Sequence, residues 1–383
     1  MVGTLPRGER TTLSTDTQGT KRAGRSQGSL GSASLRQVAE FANVSPSTVS
    51  RFVRGQLRMR ADTEARVRRA METLGYPVRA LTKPVTTRAV RRTSAETIAL
   101  ILPEMDNAYY GIIADHVVEE AERRGLFVLL CSTRNQVLKE ESYIELLTGG
   151  KVAGLLYLGS HRHNARLVDA VRRGFPVVVV DELIAGLPPV DCVIMDDYAG
   201  GYQATGHLVQ LGHRRIAFVG GPTELHSVGE RFRGFTDALV KVSLDARDQI
   251  RLAGPFAEQF GMNAMSHLLA RQPMPTAVFG ASDSIALGLL AASGTHGVQV
   301  PDELSIVGFD DLRFSEYVRP RLTTVHSPVD RLSAIGVEML VERLEGSTVP
   351  ARKEILPVSL VERNSTGAPK VTVLRRHATA TSP

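Results

Sequence analysis

The chain of 383 residues contains no tryptophan, two cysteines and 5% aromatic residues. Cys131 and Cys192 have no Cys or His partners at ligand spacing, so we expect neither a disulfide framework nor a zinc site. Apolar runs such as Val177–Val180 are far shorter than the roughly 20 residues that span a bilayer. Residues 1–33 lack the apolar core of a secretory signal. The sequence therefore predicts a cytoplasmic protein with no membrane span.

Catalytic motifs are missing as well. The sequence contains no G-x-S-x-G elbow, no H-E-x-x-H pair, no Walker lysine loop and no complete G-x-G-x-x-G. Gly220 and Gly221 follow a predicted strand and are interpreted as a tight turn. We therefore expect no enzyme activity, no cofactor and no metal.

Acidic residues are scarce at the start of the chain. Residues 1–92 contain 18 Lys or Arg and 6 Asp or Glu, a net charge of +12, whereas the remainder has a net charge of −6. A basic head on an acidic body is typical of a chain whose head neutralises DNA phosphates. The composition of residues 1–33 predicts a disordered basic tail. Two interpretations of this tail are possible, namely incidental contact with DNA and no function.

Residues 34–76 carry the pattern of three short helices. Ser34 and Gln37 form a capping box for the first helix, Asn43 can end it, and Ser45-Pro46 begins the second. The second helix buries one face and exposes a polar one that includes Ser47, Thr48, Ser50 and Arg51. The third is predicted over residues 61–74. This pattern predicts a helix-turn-helix reader of the DNA major groove, with an ordinary helical hairpin as the alternative.

Short apolar runs alternate with helical patterns beyond a linker at residues 77–95. Predicted strands lie at residues 98–102, 127–131, 154–158, 177–181, 192–195, 215–220, 249–254, 276–281 and 304–309. Predicted helices include residues 112–124, 229–240, 284–292 and 330–344. Such alternation predicts an α/β fold with doubly wound parallel sheets in two lobes over residues 96–364, followed by a disordered tail at 365–383. Ligands of such sheets bind at the carboxyl ends of the strands.

Several side chains follow the predicted strands. Asp181 and Asp283 could accept hydrogen bonds from sugar hydroxyls or cap helices, and both readings are open. The adjacent acids at positions 310 and 311 are interpreted as turn residues. Tyr109 and Tyr110 could stack on a ring, and Phe256 could form the opposing wall or belong to the core.

Taken together, these motifs resemble the lactose-repressor/galactose-repressor family of bacterial transcription regulators over residues 34–364. The resemblance is carried, in family order and spacing, by LRQVAEFANVSPSTVSRFV, METLGY, GHRRIAFVGG, RFRGF, ASDSIALG and VGFDD. It implies an N-terminal helix-turn-helix domain and a two-lobed periplasmic-binding-protein-like effector domain. It further implies a homodimer on double-stranded operator DNA, with a small-molecule effector, expected to be a sugar, between the lobes.

The resemblance also implies roles for individual residues. Pro46 and Ser47 stand at base-reading positions, Arg51 at a further groove contact, and Thr48 lies on the same exposed face. The implied effector contacts are Tyr109, Tyr110, Asp181, Arg231, Phe256 and Asp283. Val85 stands where the family has a leucine that wedges into the minor groove, but the preceding Pro84 disfavours a hinge helix there.

The sequence therefore predicts a sequence-specific transcriptional regulator of the repressor type. A periplasmic-type sugar-binding protein without gene regulation would share the two lobes, but it would need a signal peptide and no basic head. The same regulator answering to a nucleoside or purine corepressor is the other alternative.

Overall fold

The computed structural model describes residues 34–53, 57, 59–74, 76 and 96–370, which belong to two compact units divided between Val90 and Arg91. The predicted tail at 1–33, the linker at 77–95 with Pro84 and Val85, and residues 371–383 lie outside the described residues. None of the helices in the described part of the chain is both long and apolar enough to cross a membrane.

The first unit contains three helices at the predicted places, α1 (Leu35–Phe41), α2 (Pro46–Val53) and α3 (Ala61–Thr73). The predicted capping box is present, since Ser34 N donates to Gln37 Oε1 at 2.7 Å and Gln37 N donates to Ser34 Oγ at 3.4 Å. Asn43 has the predicted left-handed conformation, with φ 52°. The helices share a buried core made of Val38, Ala39, Ala42, Val49, Phe52, Val67, Ala70 and Met71.

Lobe 1 of the second unit contains a six-stranded parallel sheet. Its strands are β1 (Thr97–Leu102), β2 (Phe127–Ser132), β3 (Gly154–Tyr157), β4 (Val177–Val180), β5 (Asp191–Met195) and β11 (Lys353–Leu356), in the order β11-β5-β4-β3-β1-β2. Its helices are α4 (Ala108–Arg123), α5 (Val137–Thr148), α6 (Ala165–Arg172) and α11 (Val329–Leu344). Helix α11 packs on α4 and on the sheet, as predicted for the last helix.

Lobe 2 contains a four-stranded parallel sheet. Its strands are β6 (Ile216–Gly220), β7 (Arg251–Ala253), β8 (Ala277–Gly280) and β9 (Ser305–Val307), in the order β7-β6-β8-β9. Its helices are α7 (Asp197–Gln210), α8 (His226–Val240), α9 (Glu258–Leu269) and α10 (Asp283–His296). A small antiparallel pair, β10 (Thr324–His326) with β12 (Ser359–Val361), lies near the crossovers between the lobes.

Several predicted boundaries differ from the structure, and local contacts explain two of the differences. Helix α4 begins at Ala108 rather than at 112, because Asn107 Oδ1 accepts a capping hydrogen bond from Tyr109 N at 3.0 Å. Residues 365–370, which the sequence placed in the predicted tail at 365–383, are ordered. Ser365 Oγ accepts from Thr323 N at 2.8 Å and donates to Ile306 O at 2.6 Å, which fixes this segment beside β9.

Candidate functional site

Helix α2 presents a short polar face to solvent. Val49 and Phe52 are buried on its inner side, whereas Pro46, Ser47 and Arg51 are exposed and Thr48 is half-buried. Thr48 N donates to Ser45 Oγ at 3.1 Å, so Ser45 caps the helix as the sequence predicted. Among the described residues, Arg51 forms no ion pair, and its guanidinium therefore keeps its donors for a partner such as a base edge.

The second unit contains a cavity between its lobes. The space not filled by protein atoms there, including open solvent at the entrance, is about 430 Å³. Lobe 1 contributes the start of α4 and the residues that follow β3 and β4, and lobe 2 contributes α8 and the residues that follow β7, β8 and β9. The lining is Asn107, Tyr109, Tyr110, Leu158, Gly159, Asp181, Glu182, Leu225, Ser227, Arg231, Phe256, Ser282 and Asp310. The cavity thus lies at the carboxyl ends of both sheets, where open parallel sheets bind ligands.

Arg231 is the cation that lines this cavity, and its geometry is fixed from behind. Its Nε donates to Asp197 Oδ1 at 2.7 Å, its Nη1 donates to Ala281 O at 2.6 Å, and its guanidinium lies 3.7 Å from the centre of the Phe309 ring. Burial lowers the pKa of Arg231, but Asp197 and then Asp310 raise it further, so the net pKa is raised. Arg231 is therefore a charged and preorganised donor.

Asp181 and Tyr109 form a pair in lobe 1. Tyr109 Oη donates to Asp181 Oδ1 at 2.5 Å, and burial raises the pKa of Asp181 to about 6 while the Tyr109 bond opposes the rise. Asp181 has φ 70°, a left-handed conformation that a residue without glycine's freedom rarely adopts. A carboxylate can accept about four hydrogen bonds, so Asp181 retains acceptor capacity toward the cavity.

Asp310 lines the cavity as a buried carboxylate that accepts no hydrogen bond from the described residues. Its side chain is 6% exposed, and its Oδ1 lies 3.9 Å from Arg231 Nη1. Burial raises its pKa well above the usual range, and Arg231 opposes the rise. Because this carboxyl group lines the cavity with free acceptor capacity, it is suited to accept a hydrogen bond from a ligand.

Two hydrogen-bond sets join the lobes across the cavity. Glu182, after β4, accepts from Ser227 N at 3.1 Å and from Ser227 Oγ at 2.7 Å, at the start of α8. Asn107 Nδ2 donates to Phe256 O at 3.1 Å. Burial raises the pKa of Glu182 to about 7, against the Ser227 hydrogen bonds that lower it. These bonds hold the two walls of the cavity together.

Comparison with known proteins decides the family. The model of bacterial regulatory proteins of the lacI family matches residues 34–77, and that of a periplasmic binding protein-like domain matches residues 205–366. The HTH-type transcriptional repressor PurR of Photorhabdus laumondii is 30% identical over 335 residues, which are 87% of this chain and 96% of that protein. The chain belongs to the lacI family of bacterial regulatory proteins.

Solved structures agree with this assignment. The complex of the transcriptional regulator CelR with cellobiose matches with a TM-score of 0.66 and 31% identity, over 87% of this chain and 99% of that chain. The lac repressor dimer bound to operator and the anti-inducer ONPF matches with a TM-score of 0.64 and 26% identity, over 88% and 100%. The predicted architecture, a helix-turn-helix domain followed by a two-lobed periplasmic-binding-protein-like domain, is confirmed. The chain is a DNA-binding transcriptional regulator.

The structure brings together five of the six predicted effector contacts of this lacI-family regulator. Tyr109, Tyr110, Asp181, Arg231 and Phe256 all line the cavity, and Phe256 packs against Gly221, where a Cβ would lie 2.4 Å from its ring. Contact with an effector remains a prediction for each of them. Val85, the predicted minor-groove residue, lies outside the described residues.

The sixth residue, Asp283, does not line the cavity, which corrects its predicted position in the effector site. Its side chain is fully buried away from the cavity, because it accepts hydrogen bonds from a neighbouring loop, and Ser282 lines the cavity instead. Asp310, interpreted from sequence as a turn residue, occupies the lining. Asp311 does have a structural role, since it pairs with Arg363 at 2.6 Å. The sequence signal that could have identified Asp310 as a lining residue is the pair of consecutive acids that follows a strand ending beside the cavity.

Sequence reasoning also missed Glu182, Ser227 and Asn107. Their partners lie 45 and 149 residues away in the chain, so no local pattern pairs them. Asp197 was missed for the same reason, although its position at the start of α7, directly after a strand, placed it near the site.

Proposed function

We propose that this regulator is a repressor that binds double-stranded operator DNA as a homodimer through α2 and is controlled by a neutral hydroxylated molecule, a sugar, in the cavity. The proposal includes no catalytic activity and no cofactor. Because its target is chromosomal DNA, the proposed site of action is the bacterial cytoplasm. The observation that carries the effector proposal is that three acidic side chains, Asp181, Glu182 and Asp310, line the cavity, whereas the guanidinium of Arg231 that lines it is already paired with Asp197.

Charge selects the class of effector. Asp181, Glu182 and Asp310 line the cavity, whereas the charge of Arg231 is already balanced by Asp197. An anionic ligand such as a sugar phosphate would find no unpaired cation in this lining, because Arg231 already pairs with Asp197, and burying an unpaired charge is costly. Sugar hydroxyls can donate to carboxylates and accept from a guanidinium, and they need no charge of their own. The cellobiose complex of CelR shows a sugar bound to a related regulator.

The walls of the cavity support a ring-shaped ligand. Tyr109 and Tyr110 form an edge-to-face pair with ring centres 5.7 Å apart, and Phe256 lies on the side of lobe 2. Aromatic faces can stack on the C–H face of a sugar or on a flat base. For this reason a nucleoside or purine is the second candidate.

The DNA-binding and dimer proposals rest on two surfaces. On the exposed face of α2, Ser47 supplies a hydroxyl and Arg51 a guanidinium, which are suited to base edges in the major groove, and the exposed Pro46 offers an apolar surface beside them. In lobe 1, β2 is an edge strand, and its Leu129 and Leu130 are 45% and 38% exposed. An apolar sheet edge is a liability unless it is covered, and a second copy would cover it. The related lac repressor is a dimer.

A ligand panel tests the effector proposal. Full-length protein is heated with neutral sugars, sugar phosphates, sugar acids, nucleosides and purines, and a ligand that binds the folded state raises Tm. We expect a neutral sugar to raise Tm, and we expect this effect to be lost in Asp310→Asn but kept in Asp302→Asn, an exposed matched control. Stabilisation by sugar phosphates alone would contradict the charge argument.

The regulatory part is tested by DNA titration. The operator is selected from a pool of random duplexes, and its affinity is measured with and without the sugar that raised Tm. Coupling between two sites is typically about 1–3 kcal/mol, so we expect a change of about 5- to 150-fold. An affinity that does not respond to the bound sugar would contradict effector control, and failure to select any duplex would contradict operator binding.

A further inference from the structure

Asp283 is the first residue of α10, and its carboxylate accepts three hydrogen bonds from lobe 2. Its Oδ2 accepts from Leu312 N at 2.8 Å and from Ser315 Oγ at 2.6 Å, and its Oδ1 accepts from Thr324 Oγ1 at 2.5 Å. Among the described residues it forms no ion pair, so neutral donors alone hold it. Its position is therefore set by geometry and not by a counter-charge.

The same residue holds both ends of a strained turn. Asp310 has φ 115° and Asp311 has φ 59°, two consecutive left-handed conformations in residues other than glycine. On one side of this turn, Phe309 O accepts from Asp283 N at 2.6 Å, and on the other Leu312 N donates to the Asp283 carboxylate. Such conformations persist only where the surroundings over-determine them. Asp283 supplies that constraint on each side.

Two further contacts tie this turn to Asp283. Asp310 N donates to Val325 O at 2.8 Å, and the preceding residue of β10, Thr324, donates to the Asp283 carboxylate. Gly308 allows the carboxylate to approach, since a Cβ there would lie 2.2 Å from Asp283 Oδ1. The turn, β10 and the start of α10 thus meet at one side chain.

We propose that Asp283 is a positioning residue, which never touches the effector but holds the Asp310–Asp311 turn so that the Asp310 carboxylate faces Arg231 in the cavity. The inference rests on the proposed function in one respect, namely that Asp310 is taken as an effector contact. It assigns a role to a strand-end acid that sequence reasoning placed in the ligand site itself.

Crystal structures of two full-length variants without effector test this proposal. Asp283→Ala removes all three acceptor contacts. Asp283→Asn can keep a hydrogen bond at each place, because the amide oxygen can accept from Leu312 N and Ser315 Oγ, while the amide nitrogen donates to the Thr324 hydroxyl and so reverses the direction of that bond. We expect the alanine variant to lose the positive φ of residues 310 and 311 and the 3.9 Å approach of Asp310 to Arg231. We expect the asparagine variant to retain both.

Rescue by asparagine separates positioning from a general loss of stability, which would not move Asp310 selectively. If Asp283→Ala does not fold, the double variant Ser315→Ala with Thr324→Val removes two of the three donors, and we expect it to displace Asp310 in the same direction. An unmoved Asp310 in a folded alanine or double variant overturns the proposal, as does a displaced Asp310 in the asparagine variant. No effector is needed, so this result stands apart from the ligand panel.

Discussion

Replacing Ser227 by alanine is predicted to open the cleft between the lobes. Ser227 lies in the first turn of α8 in lobe 2, and its hydroxyl donates to Glu182 Oε2 of lobe 1 at 2.7 Å. The N-cap residue of α8, Leu225, offers no side-chain hydrogen bond. The Glu182 carboxylate therefore serves as the cap, and it links the lobes because it belongs to the opposite one.

The magnitude follows from the charge and burial of this contact. Glu182 is 5% exposed, and a hydrogen bond to a charged group contributes about 1.5–3 kcal/mol. Its loss should change the ratio of closed to open molecules by about 10- to 150-fold, since 1.4 kcal/mol corresponds to a factor of ten. The Ser227 N–H and the Asn107 contact remain, so the cleft should be loosened rather than held fully open.

Distance measurements between spin labels can detect this opening. Labels at Lys151→Cys in lobe 1 and Arg271→Cys in lobe 2 are placed at exposed positions, and the two native cysteines are buried. At pH 8, where Glu182 is mostly ionised, Ser227→Ala should add a population of longer distances. Ser142→Ala is the matched control, because its hydroxyl bonds only within α5. Identical distance distributions in wild type and Ser227→Ala would refute the reasoning.

Three further predictions concern charge, DNA and helix packing. Glu182 binds its proton more tightly in the folded than in the unfolded chain, so between pH 4.5 and 7 it makes the free energy of unfolding fall as pH rises. Glu182→Gln should flatten that slope in urea titrations at pH 5 and 8, and an unchanged slope would contradict the raised pKa. Arg51→Ala should weaken the selected operator by about 1–3 kcal/mol and random duplex far less, compared with the exposed Arg69→Ala as control. Equal losses on both duplexes would mean that Arg51 contacts only phosphate. Gly201→Ala should destabilise by about 1–3 kcal/mol, because its Cβ would lie 2.2 Å from a carbonyl of α8, whereas Gly206→Ala in the same helix meets nothing within 4 Å and should stabilise by about 0.5–1 kcal/mol. Equal effects of the two glycine replacements on thermal unfolding would show that α7 and α8 do not constrain each other.

Local patterns predicted the elements of this fold because their causes are local. The capping box at Ser34 and the proline at position 46 fix the helix starts of the first unit within the helices themselves. In the second unit, runs such as Val177–Val180 are buried on both faces of a parallel sheet, so they are apolar throughout and visible without alternation. The repeated alternation with helices then made two lobes the natural arrangement.

Side-chain direction at the strand ends could not be predicted in the same way. Asp283 and Asp310 both follow strands of lobe 2. The sequence interpretation named Asp283 as a candidate ligand contact, whereas Asp310 is the one that lines the cavity. Asp310 reaches the cavity because its φ is 115°. Asp283 turns away because its donors come from a loop and from β10, 29 to 41 residues farther along the chain. Both facts depend on tertiary contacts, whereas a strand-end position is a property of the sequence alone.

The acids around the cavity differ mainly in how much of their hydrogen-bond acceptor capacity remains free. Asp197 is bound to Arg231, Glu182 to Ser227, and Asp283 to a loop of its own lobe. Asp181 has one donor, and Asp310 accepts none from the described residues. A ligand competes poorly for acceptors that already have buried partners, because displacing those partners leaves buried donors unsatisfied. We therefore expect the effector to bind Asp181 and Asp310, one from each lobe. A substitution that moves a single internal donor would free a different acid for the effector, although the substituted residue itself does not contact the effector.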